Sequence, residues 1–335
     1  MKPVTELCDL RASAVKSEIF PSRILLCLAA GILAVMVFVS PGSCASSNAG
    51  TSAAQFLKIG AGARGAAMAE AQSAVADDIY AAYYNPAGLA LIERPMMGAM
   101  HAQYLQGARY QYGAMSLPLR DGARQTLCFS IANLGVSEME RRTQDTDLPV
   151  GFFEASNFAY GLSYARRVTD RLSAGVTGKS VSVSIDEVSG QAFAADFGLR
   201  YRPDIGASFP VNVAAVARNL GTRLKLGTGK DPLPSAIVLG ASAQPLPDLL
   251  LALDLTRYRD TGTILAAGGE YRRKLSGKLQ GLVRAGYSNH QKKIDGASGL
   301  TLGAGLSLPS LAFDFAWVPF GDLGTTFRYS ILVQF

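Results

Sequence analysis

The chain has 335 residues, 49% of them hydrophobic and only 17% charged, with 35 Gly, 13 Tyr and a formal charge of +6. Soluble domains average about a quarter charged residues, so this sequence is poor in charge, and its basic excess is too thinly spread for a nucleic-acid surface. Four basic groups (Lys2, Arg11, Lys16, Arg23) and three acidic ones (Glu6, Asp9, Glu18) fall in the first 45 residues, which leaves 28 basic against 23 acidic groups beyond them.

The first element is a 16-residue apolar run, Ile24 to Val39, behind Arg23. It is short for a membrane helix, which needs about 20 residues. Ser40-Pro41-Gly42 ends it, and Ser43-Cys44-Ala45 puts small residues at both recognition positions of a signal peptidase. Residues 1–45 therefore read as a signal peptide cleaved after Ala45. Pro41 stands where a lipoprotein site carries a branched aliphatic residue, which argues against lipidation at Cys44. Cleavage removes Cys8, Cys27 and Cys44, so Cys128 is left without an internal disulfide partner.

Residues 46–96 form an Ala/Gly-rich head with helix-like stretches and no alternation. Gly60-Ala61-Gly62-Ala63-Arg64-Gly65 fits G-x-G-x-x-G, with Asp77 and Asp78 following. A dinucleotide site needs that loop between a strand and a helix of a βαβ unit. No such unit follows, so we read the glycines as close-packing positions. Asn85-Pro86 predicts a turn ending a short helix over 74–84.

From Met97 onward the texture changes to segments in which large apolar side chains alternate with small or polar ones. Phe158, Tyr160, Leu162 and Tyr164 oppose Asn157, Ala159, Gly161 and Ser163; Phe193, Phe197, Leu199 and Tyr201 oppose Asp196 and Arg200; Leu311, Phe313, Phe315 and Trp317 oppose Ala312, Asp314 and Ala316. Period two puts these sets on opposite faces of strands, which suits a wall between lipid and a polar lumen. The predicted strands are 97–105, 109–118, 123–134, 155–166, 171–184, 190–202, 210–220, 234–244, 248–257, 262–273, 277–288, 298–308, 310–318 and 324–335. Fourteen is an even number, as single-chain bacterial barrels have. Connections after even strands are short; the longest, 135–154, 221–233 and 289–297, follow odd strands. That asymmetry is the outer-membrane arrangement and places both chain ends in the periplasm. The fold expected is all-β: a fourteen-stranded antiparallel transmembrane β-barrel (97–335) with an N-terminal lumen plug (46–96). Lumen-facing candidates are His101, Asp196, Arg200, Arg284, Asp314 and Arg328. Phe335 closes a strand with Phe327, Tyr329, Ile331 and Val333 on one face, which resembles the signal read by the barrel-assembly machinery.

The head carries Phe56-Leu57-Lys58-Ile59-Gly60-Ala61-Gly62-Ala63-Arg64-Gly65-Ala66-Ala67-Met68, then Ala74-Val75-Ala76-Asp77-Asp78, then Tyr84-Asn85-Pro86-Ala87-Gly88-Leu89-Ala90. This series resembles the PorV/PorQ family of outer-membrane proteins, relatives of the long-chain fatty-acid transporters. The resemblance implies a fourteen-stranded barrel plugged by the N-terminal segment, with Gly60, Gly62, Arg64, Asp77, Asp78, Asn85, Pro86 and Gly88 as motif residues of the plug. Ala69 and Glu70 stand where the family usually has Gly after Met, and Tyr84 where it often has Trp. Asp77 and Asp78 either cap backbone amides or pair with lumen arginines such as Arg200, Arg284 or Arg328; the alternative is that they line a ligand or ion route.

Two His and one mature Cys leave too little for a transition-metal site, no nucleophile is marked beside His101, and no catalytic role or cofactor is expected. Two functional classes remain. PorV-like members serve type IX secretion, receiving exported proteins and passing them on, so secretion-system proteins and cargo are the partners implied, besides outer-membrane lipid. The transporter relationship implies instead a channel for hydrophobic small molecules. Loop 135–154, with Glu138, Glu140, Arg141, Arg142, Asp145 and Asp147, is too polar for a fatty-acid capture site, which favours secretion.

Overall fold

Strands whose large side chains all fall on one face cannot bury that face within a single sheet layer; closing the sheet gives each face its own solvent and leaves no unpaired edge. The computed structural model describes residues 50–119, 124–145, 148–291 and 299–335, so the expected signal peptide lies outside the described residues. It shows a closed antiparallel barrel of fourteen strands. They are β1 Met96–Gln103, β2 Arg109–Leu119, β3 Gln125–Arg141, β4 Gly151–Arg167, β5 Leu172–Ile185, β6 Val188–Tyr201, β7 Val211–Gly221, β8 Ala236–Leu246, β9 Leu249–Tyr258, β10 Thr263–Ser276, β11 Leu279–Ser288, β12 Leu300–Leu308, β13 Leu311–Pro319 and β14 Thr325–Gln334. Each strand pairs with its neighbours in sequence, and β1 closes on β14 with Met96 opposite Gln334 and Gln103 opposite Phe327.

The two faces separate as the alternation predicts. Phe193, Phe197, Leu199, Leu239, Val283, Phe313 and Ile331 stand exposed on the outer wall, while Asp196, Asp254, Glu270, Arg284 and Arg328 are buried inside it. On the outside, each apolar side chain meets lipid, where a charge at mid-depth costs roughly 2–4 kcal/mol.

Three expectations are corrected. First, most of the predicted loop 135–154 is strand: β3 and β4 continue to Arg141 and from Gly151. Glu138 there has φ 58°, and the register slips between Val136 and Met139, a bulge that shifts the alternation out of phase. Second, His101 faces outward. The buried face of β1 is Gly98, Met100 and Ala102, and His101 lies on the outer wall between Gln111 and Tyr329. Both faces of β1 mix Met with small residues, so a single polar side chain does not tell them apart. Third, only the barrel begins and ends at the short-turn end. The head starts at the opposite, long-loop end, where Ala53 N donates to Pro232 O across a loop carrying a small hairpin, Leu224–Leu226 and Gly229–Asp231.

Candidate functional site

The head lies against the inner wall, and its local structure follows from its composition. It holds only short helical pieces: a 3₁₀ turn Gln55–Lys58, α1 Ala63–Ala67, α2 Ala81–Tyr84 and a 3₁₀ stretch Pro86–Leu91. Helices this short do not persist alone, so contacts with the wall must hold them. Small residues allow the close approach. Ala61, Ala63, Ala67 and Ala71 are fully buried, and a Cβ on Gly65 would fall 2.4 Å from the Tyr84 hydroxyl. Gly88 is closed in the same way, 2.1 Å from Ala76 O.

Contacts from the head reach every strand. Gly62 N donates to Met100 Sδ on β1, and Tyr110 Oη on β2 donates to Ile59 O. The Pro86–Leu91 stretch packs on β3, β4, β5 and β6. Arg218 on β7 lies over the Tyr83 ring at 5.4 Å, and Ser242 Oγ on β8 donates to Ala74 O. Asp254 on β9 accepts from Gln72 N, Ser73 N and Ser73 Oγ at 3.0, 2.9 and 2.7 Å. Thr301 on β12 accepts from Ala69 N and donates to Ala67 O, Ser330 on β14 accepts from Ala63 N, and α1 packs on β11 and β13.

The strongest anchor is ionic. Glu270 on β10, with 1% of its side chain exposed, accepts from Arg64 Nε at 2.9 Å, Arg284 Nε at 2.7 Å and Arg272 Nη2 at 3.0 Å. Arg284 also holds Asp314 at 2.6 Å, so the cluster continues through β11 to β13. Arg64 reaches back to Asp77 at 2.7 Å and Asp78 at 3.6 Å. A buried charge stripped of its partners is costly, and here each partner is present. Burial pushes the Asp78 carboxyl up to about 6; Arg64 pulls it back down and Asp77 adds to the rise. At the long-loop end Asp260, in the turn after β9, binds Lys58 at 2.7 Å and Gln55 at 2.8 Å. Burial there acts upward, but those hydrogen bonds win and hold its carboxyl down at about 2.

The motif residues are brought together as follows. Gly60, Gly62 and Gly65 face Glu70, Tyr80 and Tyr84, close-packing positions rather than a phosphate cradle. Asn85 is an N-cap: its Oδ1 accepts from Ala87 N, and its Nδ2 donates to Ser73 O and Leu199 O. Pro86 starts the 3₁₀ stretch, so the predicted turn is present, but the helix before it covers only Ala81–Tyr84. Asp78 caps Tyr80 N at 2.8 Å. Asp77 and Asp78 pair with Arg64 of the head itself, not with Arg200, Arg284 or Arg328; Arg64 is the nearer cation because it shares their segment. Arg200 donates to Ala74 O, and Arg328 to Gly60 O at 3.0 Å and to Glu70 Oε1 at 3.4 Å. Asp196 braces the wall, binding Lys179 at 2.6 Å and Asn219 N at 2.7 Å, where Asn219 bulges with φ 56°.

Sequence reasoning missed Glu70, Asp254, Asp260 and Glu270. Asp254 and Glu270 were visible as the lone carboxylates of their strands, each on a small-residue face. Ala69 and Glu70 have φ of 52° and 68°, the left-handed region that glycine enters freely. Glycine would adopt both conformations without strain. Here the Glu70 carboxylate, held by Gly60 N and Arg328, offsets the strain.

A family model described as "Type IX secretion system protein PorV" matches residues 43–231, more than half of the chain and all of the head described here. The chain belongs to the PorV family. No curated protein sequence matches it. Among solved structures, the Ralstonia pickettii toluene transporter TbuX superposes with a TM-score of 0.55 at 14% identity, over 82% of this chain and 97% of that one. The Pseudomonas putida toluene transporter TodX gives 0.55 at 11%, over 82% and 98%, and a Pseudomonas aeruginosa FadL homologue 0.51 at 15%, over 82% and 98%. At such identities the likeness is one of fold. The closed barrel, its apolar outer face and PorV membership together make this an outer-membrane protein.

Proposed function

We propose that this PorV-family barrel is a closed outer-membrane component of protein secretion, with residues 46–95 acting as a plug and the long-loop rim serving exported cargo or secretion-system partners. The observation that carries this reading is the anchoring of the head to all fourteen strands, which suits a docking body better than an open pore. In this reading residues 1–45 are removed on export, the short turns face the periplasm, and the barrel-assembly machinery recognises the strand ending at Phe335. The polar side chains Glu140, Arg141, Arg142 and Asp186 at the ends of β3 to β5 give the rim a solvated surface suited to a protein partner.

A second reading, a channel for hydrophobic small molecules, is favoured by one feature. Phe56, Leu57, Tyr83, Tyr110 and Tyr112 line a cavity between the head and β2–β5. Its volume of about 30 Å³ is the space of roughly one water, so a hydrocarbon needs the head to move first. Isolation from native outer membrane in mild detergent, followed by mass spectrometry of everything that co-purifies, separates the two. Secretion subunits or exported proteins support the first; a stoichiometric apolar molecule without a protein partner overturns it.

A further inference from the structure

The lumen arginines fall into two groups. Arg64, Arg284 and Arg328 each hold a carboxylate, and Arg218 stacks on Tyr83. Arg167, Arg200 and Arg202, at the short-turn mouth, hold none among the described residues. Arg167 stands opposite Ser173, and Ser173 opposite Arg200, so the three occupy one inward-facing row across β4, β5 and β6. Neighbouring strands lie about 4.8 Å apart, which puts the two arginine backbones roughly 10 Å from each other with a buried serine between them. Arg202 follows two residues on and turns inward, its Nε 3.5 Å from Asn212 Oδ1.

Three described acids near this end are already committed to other cations. Asp170 binds Arg124 at 2.5 Å, Asp204 binds Arg171 at 2.7 Å, and Asp77 binds Arg64. Arg167 and Arg202 act on Arg200 as like charges, with Asp77 the counter-charge within reach. The Arg167 Nε is buried and donates to nothing. A buried guanidinium donor without an acceptor is costly, and like charges close together on the inner wall raise the local positive potential. The floor beneath them is the head: Arg200 Nε donates to Ala74 O, and Pro86 packs against Gly175 and Gly198 in the next inward row.

We infer that Arg167, Arg200 and Arg202 form an anion site at the short-turn mouth of the lumen, and that its ligand is a phosphate group. Guanidinium forks match phosphate oxygens two at a time. Three of them on one stretch of the inner wall, with Ser173 in the row between Arg167 and Arg200, suit a multiply charged phosphate better than a single carboxylate. The phosphate is supplied either by a free anion or by the headgroup of an anionic lipid at the barrel rim. The site is independent of the secretion reading, since it needs only the barrel and the docked head.

The full chain in detergent is titrated calorimetrically with inorganic pyrophosphate. In parallel it is placed in nanodiscs of phosphatidylglycerol and phosphatidylcholine and examined by native mass spectrometry. Arg167→Gln and Arg202→Gln are the variants, because among the described residues neither side chain hydrogen-bonds or ion-pairs with the head, as Arg200 does; Arg257→Gln, on the outer face of β9, is the control. One pyrophosphate per chain is expected, about ten-fold weaker in each single variant and lost in the double, with the control unchanged. Pyrophosphate binding identifies a free anion as ligand. Retention of one phosphatidylglycerol, lost in the double variant, identifies a headgroup. If neither probe binds, or if both bind the double variant as well as the control, the site does not exist.

Discussion

Replacing Glu270 by Gln keeps the shape of the side chain and removes the one charge that Arg64, Arg272 and Arg284 share. Breaking a buried ion pair by neutralising one member costs about 3–5 kcal/mol. Arg284 keeps Asp314 at 2.6 Å, and Arg64 keeps Asp77 at 2.7 Å, so the expected loss is at the low end, about 3 kcal/mol. Of the three contacts of Glu270 only the one from Arg64 ties head to wall, so the loss falls on docking of the head rather than on the barrel ladder. A change of that size is about a hundred-fold in the docking equilibrium. Hydrogen exchange followed by mass spectrometry reads it directly. The amides of Ala66 to Ser73, bonded within the head or to Thr301 and Asp254, are expected to exchange about a hundred-fold faster, while amides of the β-strands keep their protection. Arg272→Gln, at a side chain 45% exposed, is expected to change docking by under about 1 kcal/mol. Unchanged exchange in the Glu270 variant, or loss of barrel protection together with the head, would refute the reasoning.

Other predictions follow from the same contacts. Ala69→Gly relieves a left-handed φ and is expected to stabilise the docked head by up to about 1 kcal/mol, seen as slower exchange of the same amides. Gly198→Ala puts a Cβ 2.1 Å from Asn85 Oδ1 and is expected to cost about 1–3 kcal/mol, read as a lower midpoint of head release in urea. The Asp78 carboxyl, raised to about 6 against an ordinary value of 3.8, binds a proton more readily in the docked state than in the released one. Docking therefore strengthens as pH falls from about 6 towards 4, and Asp78→Asn is expected to flatten that dependence; an unaltered pH profile counts against it. Cysteine at position 101 is expected to react with a lipid-soluble maleimide in proteoliposomes and cysteine at 102 not to react. The reverse would restore the inward placement of His101.

Much of the wall was legible because lipid and lumen impose opposite demands on alternate residues, and segments such as Phe158–Tyr164 or Leu311–Trp317 record both. Legibility failed where one demand lapsed. Beyond Val136 the bulge at Glu138 breaks the phase and charged side chains enter both faces, so strand was read as loop. In β1 small residues occupy both faces, and His101 was read as lumenal because it is polar; its register partner Tyr329, on an unambiguous aromatic face, carried the correct answer. The head was recognisable by its motif, yet its anchors were not. Contacts such as Arg64 to Glu270 join positions 206 residues apart, and a local pattern cannot carry such a pairing. What could be seen was the need for partners: lone carboxylates at 254 and 270 on small-residue faces, with Arg64 in a head otherwise rich in alanine and glycine.

The claim on which the account rests is that the head closes the barrel, and conductance across a planar lipid bilayer tests it most directly. The intact chain is expected to insert without a steady open level, and Glu270→Gln to show brief openings as the head undocks. A steady conductance from the intact chain, unaltered in the Glu270 variant, would mean that ions pass beside a docked head and that the barrel is an open channel.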